Sequence, residues 1–327
     1  MGHRSDMELN RKFRVADGES VASGQGRVGS DGAVMVRDRE SLESGAARQG
    51  RFGSWAPGQA GARSLRLRLA LVFGALALIL PAAALAAGRL YTQSAAGAGT
   101  HATVTYRQSD YVDTGTRITI TAKGLPTYSR PVKAKLCGQF CQVMPAQALS
   151  VADLGESMTG SRDVVLSLFS GGAHCCSISE VYYPTARGYR RAQYNFGNAG
   201  DKLEPIGPGG SAQFVTADNA FAYEFTDYAE SGMPLQVLSF QQGHFTDVTT
   251  THPALIAADA RRYWKYYLAD HDSGRCGLIA AWAADEYNLG AQTEAQSTLA
   301  AQVADQRITQ SFVNDLQRFL VAHHYGT

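Results

Sequence analysis

Net charge is almost absent from this 327-residue chain, in which 30 Lys and Arg face 29 Asp and Glu. That balance offers no general grip on a phosphate backbone, so nucleic acid is not expected as a partner. With 45% hydrophobic residues, the composition also excludes a wholly disordered chain and a polytopic membrane protein. Familiar catalytic signatures are missing as well: there is no G-x-S-x-G, no H-E-x-x-H and no P-loop. Cysteine is absent before Cys137.

What charge there is divides unevenly. Residues 1–68 carry 12 basic and 8 acidic side chains, which leaves 18 and 21 for the remainder. At the boundary, Leu69 to Ala87 read LALVFGALALILPAAALAA, nineteen residues without a charge, preceded by Arg63, Arg66 and Arg68. A membrane helix needs about 20 apolar residues, whereas a secretory signal needs a basic start, a shorter apolar core and a small-x-small exit. Pro81 splits the run, and Ala84-Leu85-Ala86 supplies the A-x-A pattern. Residues 64–87 are therefore read as a cleaved signal, with an uncleaved signal anchor as the alternative and membrane contact confined to 69–87 in that case. Either way the body is exported. Residues 1–63 are rich in Gly, Ser and Arg without periodicity and read as a disordered leader. They arise from a start assigned upstream of the true one or, alternatively, form a cytoplasmic tail.

The body is expected to be mainly β, with propeller-like or sandwich repeats and a C-terminal α-helical segment. Residues 88–100 read as a linker and 101–252 as the β-rich domain. Val104 and Tyr106, then Ile118 and Ile120, alternate with polar residues as in half-buried strands. Val132 to Leu136 suggests another strand, and Val164 to Phe169 a further one. Val181-Tyr182-Tyr183 and Tyr194-Asn195-Phe196 flank a hairpin tip at residues 186–189. The pattern then recurs. Ser161-Arg162-Asp163-Val164-Val165 aligns with Ser211-Ala212-Gln213-Phe214-Val215, and the Gly188 turn with the Gly243 turn. From Pro253 the texture becomes helical, through 253–327. Pro253 suits a first helical position and Gly290 a helix end.

The segments SLFSGGAHCCS (167–177), NFGNAGDKL (195–203), FVTADNAFAYEFTDYAESGMPLQVLSF (214–240) and GHFTDVT (243–249) carry a resemblance. Together they resemble exported bacterial proteins of unassigned function whose repeats are similar to the FG-GAP/VCBS units of β-propellers. The likeness covers residues 160–260 or so. It implies a fold more than an activity, and it implies a calcium-binding aspartate loop before the strand. Here that loop is eroded: the first unit keeps Asp153, Glu156 and Asp163 around Gly160, and the second has only Gly207-Pro208-Gly209-Gly210. Calcium wants six to eight oxygens including several carboxylates, so no cofactor is expected.

The five cysteines, Cys137, Cys141, Cys175, Cys176 and Cys276, all follow the export segment. In an oxidising compartment they favour disulfides, and five leave one over. The favoured arrangement gives Cys137 and Cys141 one partner each from the vicinal Cys175-Cys176 pair, with Cys276 buried in its helix. Zinc held by these thiolates and His174 is the sharper reading. The Cys-x3-Cys spacing and the oxidising compartment count against it. His174 reads as a turn residue after Gly171-Gly172.

Asp218, Glu224, Asp227 and Glu230 cluster among Phe221, Tyr223, Phe225 and Tyr228. Carboxylates beside aromatic rings suit sugar binding or glycoside hydrolysis, and a strand with one solvated face gives the same pattern. Two functions follow: a non-catalytic exported module that binds a protein or envelope partner, or an extracytoplasmic hydrolase working through residues 218–230.

Overall fold

Alternating apolar residues set the first sheet. In the computed structural model, which describes residues 88–110, 112–137, 141–155, 160–171, 175–270 and 275–326, Ala102, Val104 and Tyr106 of β2 (Thr100–Ser109) point into a core. Ile118 and Ile120 of β3 (Val112–Ala122) join them, with Val104 opposite Ile118. The expected leader, the export segment, Glu156 and His174 lie outside the described residues.

Residues 88–100, expected as a linker, instead supply β1 (Arg89–Gly97), which pairs along its whole length with β2. Ala, Ser and Gly give this strand little apolar alternation, so tertiary contacts hold it. Tyr91 stacks on Tyr106 with ring centroids 5.4 Å apart. Gln93 donates from Nε2 to the Met144 carbonyl and accepts the Ala148 N–H through Oε1. The fourth strand also departs from expectation. β4 spans Tyr128–Pro131, before the Val132–Leu136 run, and Lys135–Cys137 form a 3-10 turn. Val132 and Ala134 still pack against the core from this segment, while Leu136 is exposed.

The second sheet contains β5 (Gln142–Val143), β6 (Leu149–Ala152), β7 (Asp163–Phe169), β8 (Ser177–Thr185) and β9 (Gly188–Gly197). β5 and β6 share one edge of β7, and β8 and β9 follow in antiparallel order. The run Val164-Val165-Leu166 does not alternate because both faces of this sheet are covered. Val164, Leu166 and Leu168 pack with the first sheet, while Val165 and Val181 pack with Phe196, Phe214, Leu238 and Phe240.

Those last residues introduce the third sheet, an antiparallel meander of β10 (Lys202–Glu204), β11 (Gln213–Ala217), β12 (Leu235–Gln241) and β13 (His244–Asp247). The two recurring sequence stretches thus fall on β7 and β11, and their turns on the β8–β9 and β12–β13 hairpins. An aromatic seam joins the two sheets, with Phe196 and Phe214 at 5.3 Å and Tyr194 and Phe245 at 4.8 Å. Asn219 closes the join: its Nδ2 donates to the Phe196 carbonyl and its Oδ1 accepts the Asn198 N–H. It lies over Gly197, whose φ of 59° and lack of a Cβ make room for the amide.

The tail is helical, as expected: α1 (Pro253–Ala269), α2 (Arg275–Asn288), α3 (Gln292–Ala304) and α4 (Gln310–Ala322). Pro253 starts α1 and Gly290 follows α2. Thr309 caps α4 by accepting the Phe312 N–H. Ala280, Ala281, Ala283 and Ala284 are wholly buried in α2, and Trp264 and Trp282 pack at 4.9 Å. No helix among the described residues is long and apolar enough to cross a membrane.

Candidate functional site

Where the second and third sheets meet, a cavity of about 170 Å3 opens beside the β8–β9 and β12–β13 hairpins. Its walls include Leu154, Asp163, Tyr183, Arg190, Phe240 and Gln241. Asp163 opens β7 and is 7% exposed. One oxygen, Oδ2, accepts the Leu154 N–H at 3.2 Å. Burial pushes its carboxyl up to about 6, with the nearby Asp153 charge adding to the effect and the Leu154 N–H and Arg162 opposing it. Tyr183 meets Phe240 edge to face at 5.6 Å. Its hydroxyl lies 2.7 Å from where a Cβ on Gly243 would stand, so the hairpin turn, with φ 95°, requires glycine. Among the described residues the Arg190 guanidinium makes no ion pair or hydrogen bond, and the Tyr183 hydroxyl makes no hydrogen bond.

The carboxylates singled out in the sequence lie in the irregular β11–β12 connection. Asp218 accepts the Ala220 N–H at 2.9 Å and the Tyr325 hydroxyl at 2.8 Å, tying the chain end to the third sheet. Asp227 accepts the Glu230 N–H at 3.1 Å, and Glu230 accepts the Thr226 hydroxyl at 3.3 Å. Glu224 is exposed. Of the four, Glu230 alone lines the open groove of about 430 Å3 formed with Tyr266, Asp270 and Leu278.

The cysteines pair locally, not crosswise as expected: Cys137 bonds to Cys141 and Cys175 to Cys176. Register explains their neighbourhood. Gln142 faces Phe169 and Phe169 faces Ser177, which sets both pairs at one end of the second sheet. Loops four and one residues apart constrain the unfolded chain far less than the long loops of the crosswise pairing. Cys276 is half-buried, where full burial was expected, and burial raises its thiol pKa. Asp153, named with Asp163 and His174 as a weak metal ligand, accepts the Gly155 N–H and pairs with Arg162. Among the described residues no three His, Cys, Asp or Glu side chains gather as a metal set.

Two buried polar groups escaped the sequence reading. Glu180 of β8 is fully buried, and it accepts from Arg191 at 3.0 Å, from Gln193 at 2.6 Å and from the Tyr182 hydroxyl. Asp285 of α2 is also fully buried, and neither of its oxygens meets a hydrogen-bond donor. Its neighbour Asp259 accepts the Leu235 N–H at 3.0 Å and pairs with Arg262. Burial, then the Asp259 charge, pushes the Asp285 carboxyl up to about 9, which favours its protonated form at neutral pH. The available signal was an acid set against an apolar run: the single Glu of SISEVYY for the first, and the Asp-Glu pair that ends AAWAADEY for the second.

No protein-family model and no solved structure matches the chain. It is similar to a probable thylakoid lumen protein of Synechocystis sp., 28% identical over 163 residues, which are 48% of each chain. It is also similar to an uncharacterized protein of Sinorhizobium fredii, 25% identical over 142 residues, or 40% of this chain and 22% of that one. The match thus spans about half the length of the first relative and about a fifth of the second.

Proposed function

We propose that this chain is an exported, extracytoplasmic binding module, non-catalytic, whose second and third sheets are FG-GAP/VCBS-type units of a propeller-like body. The likeness to a protein described as thylakoid-lumenal carries the extracytoplasmic reading. The same meander order in β7–β9 and β11–β13, stacked through one aromatic core, supports the repeat reading. Asp218, Asp227 and Glu230 all engage in turns and ties, which favours support of a loop over hydrolysis. The domain division follows: a signal over 64–87, a β body and a helical tail. β1 begins at Arg89, just beyond the expected exit at Ala87, so cleavage there leaves the first strand whole. A protein or envelope component is the partner this reading implies.

Fractionation of a bacterial host expressing the whole chain tests the proposal. The protein is expected outside the cytoplasm with its N-terminus within a few residues of Ala87. Soluble cytoplasmic protein retaining the leader overturns the export reading. The hydrolase reading rests on Glu230 in the Tyr266 groove, and release of nitrophenol from a nitrophenyl glycoside would restore it.

A further inference from the structure

We propose that the cavity between the second and third sheets binds a single saccharide ring, held by Asp163, Arg190, Tyr183 and Gln241 against the Phe240 wall. The inference deepens the binding-module reading and rests on it.

The donor and acceptor inventory points to this ligand. Asp163 offers a carboxyl, Arg190 a guanidinium with donors alone, and the Tyr183 hydroxyl and Gln241 amide both give and accept. One potential negative charge faces one positive charge, so a ligand of net charge meets an opposing group as well as a matching one. A ring edged with hydroxyls, each donor and acceptor, meets all four groups. Phe240 and Leu154 add a small apolar patch to the lining for its C–H groups. Size agrees, since about 170 Å3 is well below the roughly 300–1,000 Å3 of drug-sized ligand pockets. The walls are also fixed in place. Tyr183 is clamped between Phe240 and the Gly243 turn, and Asp163 is tied to Leu154.

Ligand-observed NMR on the exported protein, with methyl glucoside, galactoside, mannoside and N-acetylglucosaminide as probes, tests the site. At least one probe is expected to bind with a millimolar Kd. Arg190 is exposed, so Arg190→Ala should leave the melting temperature unchanged while weakening that probe about tenfold, as loss of a hydrogen bond from a charged group predicts. Asp163→Asn keeps an acceptor for the Leu154 N–H and should weaken binding similarly, and Tyr183→Phe less. Absence of binding by every glycoside overturns the proposal. So does glycoside binding that survives Arg190→Ala, or binding of acetate or glycine alone. Nitrophenyl glycosides separate the two claims, because turnover lost in Arg190→Ala would end the non-catalytic reading while leaving the saccharide site standing.

Discussion

β8 and β12 are each the middle strand of an antiparallel meander, yet they handle buried polarity in opposite ways. In β8 the wholly buried Glu180 finds its three donors within its own sheet, two of them on the neighbouring β9. In β12 the inward positions are apolar, at Val237, Leu238 and Phe240, and backbone groups at the strand's start look outside the sheet. The Leu235 N–H goes to Asp259 of α1, and the Val237 N–H goes to Thr249 just before the tail. Tyr263 of α1 holds both the N–H and the carbonyl of Met233. The buried acid of β8 is thus bonded within its own sheet, whereas the start of β12 is completed by the helices and the turn before them. Covering both faces of the second sheet leaves Glu180 no solvent, so its partners must come from the next strand.

The sharpest way to break this contrast is Glu180→Ala. It removes the acceptor of the Tyr182 hydroxyl and leaves Arg191 and Gln193 with the Lys133 carbonyl alone, and should cost about 3–5 kcal/mol in denaturant unfolding. The low end is expected because Arg191 still reaches water. Glu180→Gln, which keeps an acceptor, should cost less. Hydrogen exchange should quicken through β7–β9 in both variants.

Next in size is the pH response of the tail. Asp285 binds its proton more tightly in the folded chain, at about 9, than an ordinary aspartate does unfolded. The stability it contributes is therefore fully present below about pH 4 and is lost as pH rises toward the folded value. Asp285→Asn is a neutral mimic of the protonated form. It should flatten that slope, and at pH 8 it should raise the melting temperature, by about 2–4 °C for each kcal/mol recovered. A melting temperature falling equally with pH in both proteins would count against the buried proton.

The smallest expected effect comes from Tyr325→Phe. Losing the hydroxyl bond to Asp218 should cost about 1–2 kcal/mol. Hydrogen exchange should quicken at residues 218–222 and at the end of α4, and stay unchanged in β7–β9. An equal response in both sheets would erase the distinction between them.

Local chemistry made much of the architecture legible. The alternation of Val104, Tyr106, Ile118 and Ile120 marked two strands, and Gly188 and Gly243 marked two hairpins. Pro253 and Gly290 marked where α1 starts and where α2 stops. The expected mainly β body with a helical tail is the fold observed. The candidate site was less legible. Asp163 drew attention as an eroded calcium ligand, but its place beside Arg190 and Tyr183 depends on two hairpins separated by more than fifty residues. The acids at 218–230 looked like a cluster because they are close in sequence. Folding spends three of them on separate turns and ties.

Composition and periodicity by themselves determined the mainly β body, its helical tail and the two hairpin turns at Gly188 and Gly243, because these depend on neighbours within a few residues. Tertiary structure alone decided that Ala-rich residues 89–97 form a strand, that cysteines pair with their nearest neighbours, and that Glu180 and Asp285 lie buried. Each of those outcomes turns on which distant surface covers a residue, and periodicity within a segment carries no record of what will pack against it.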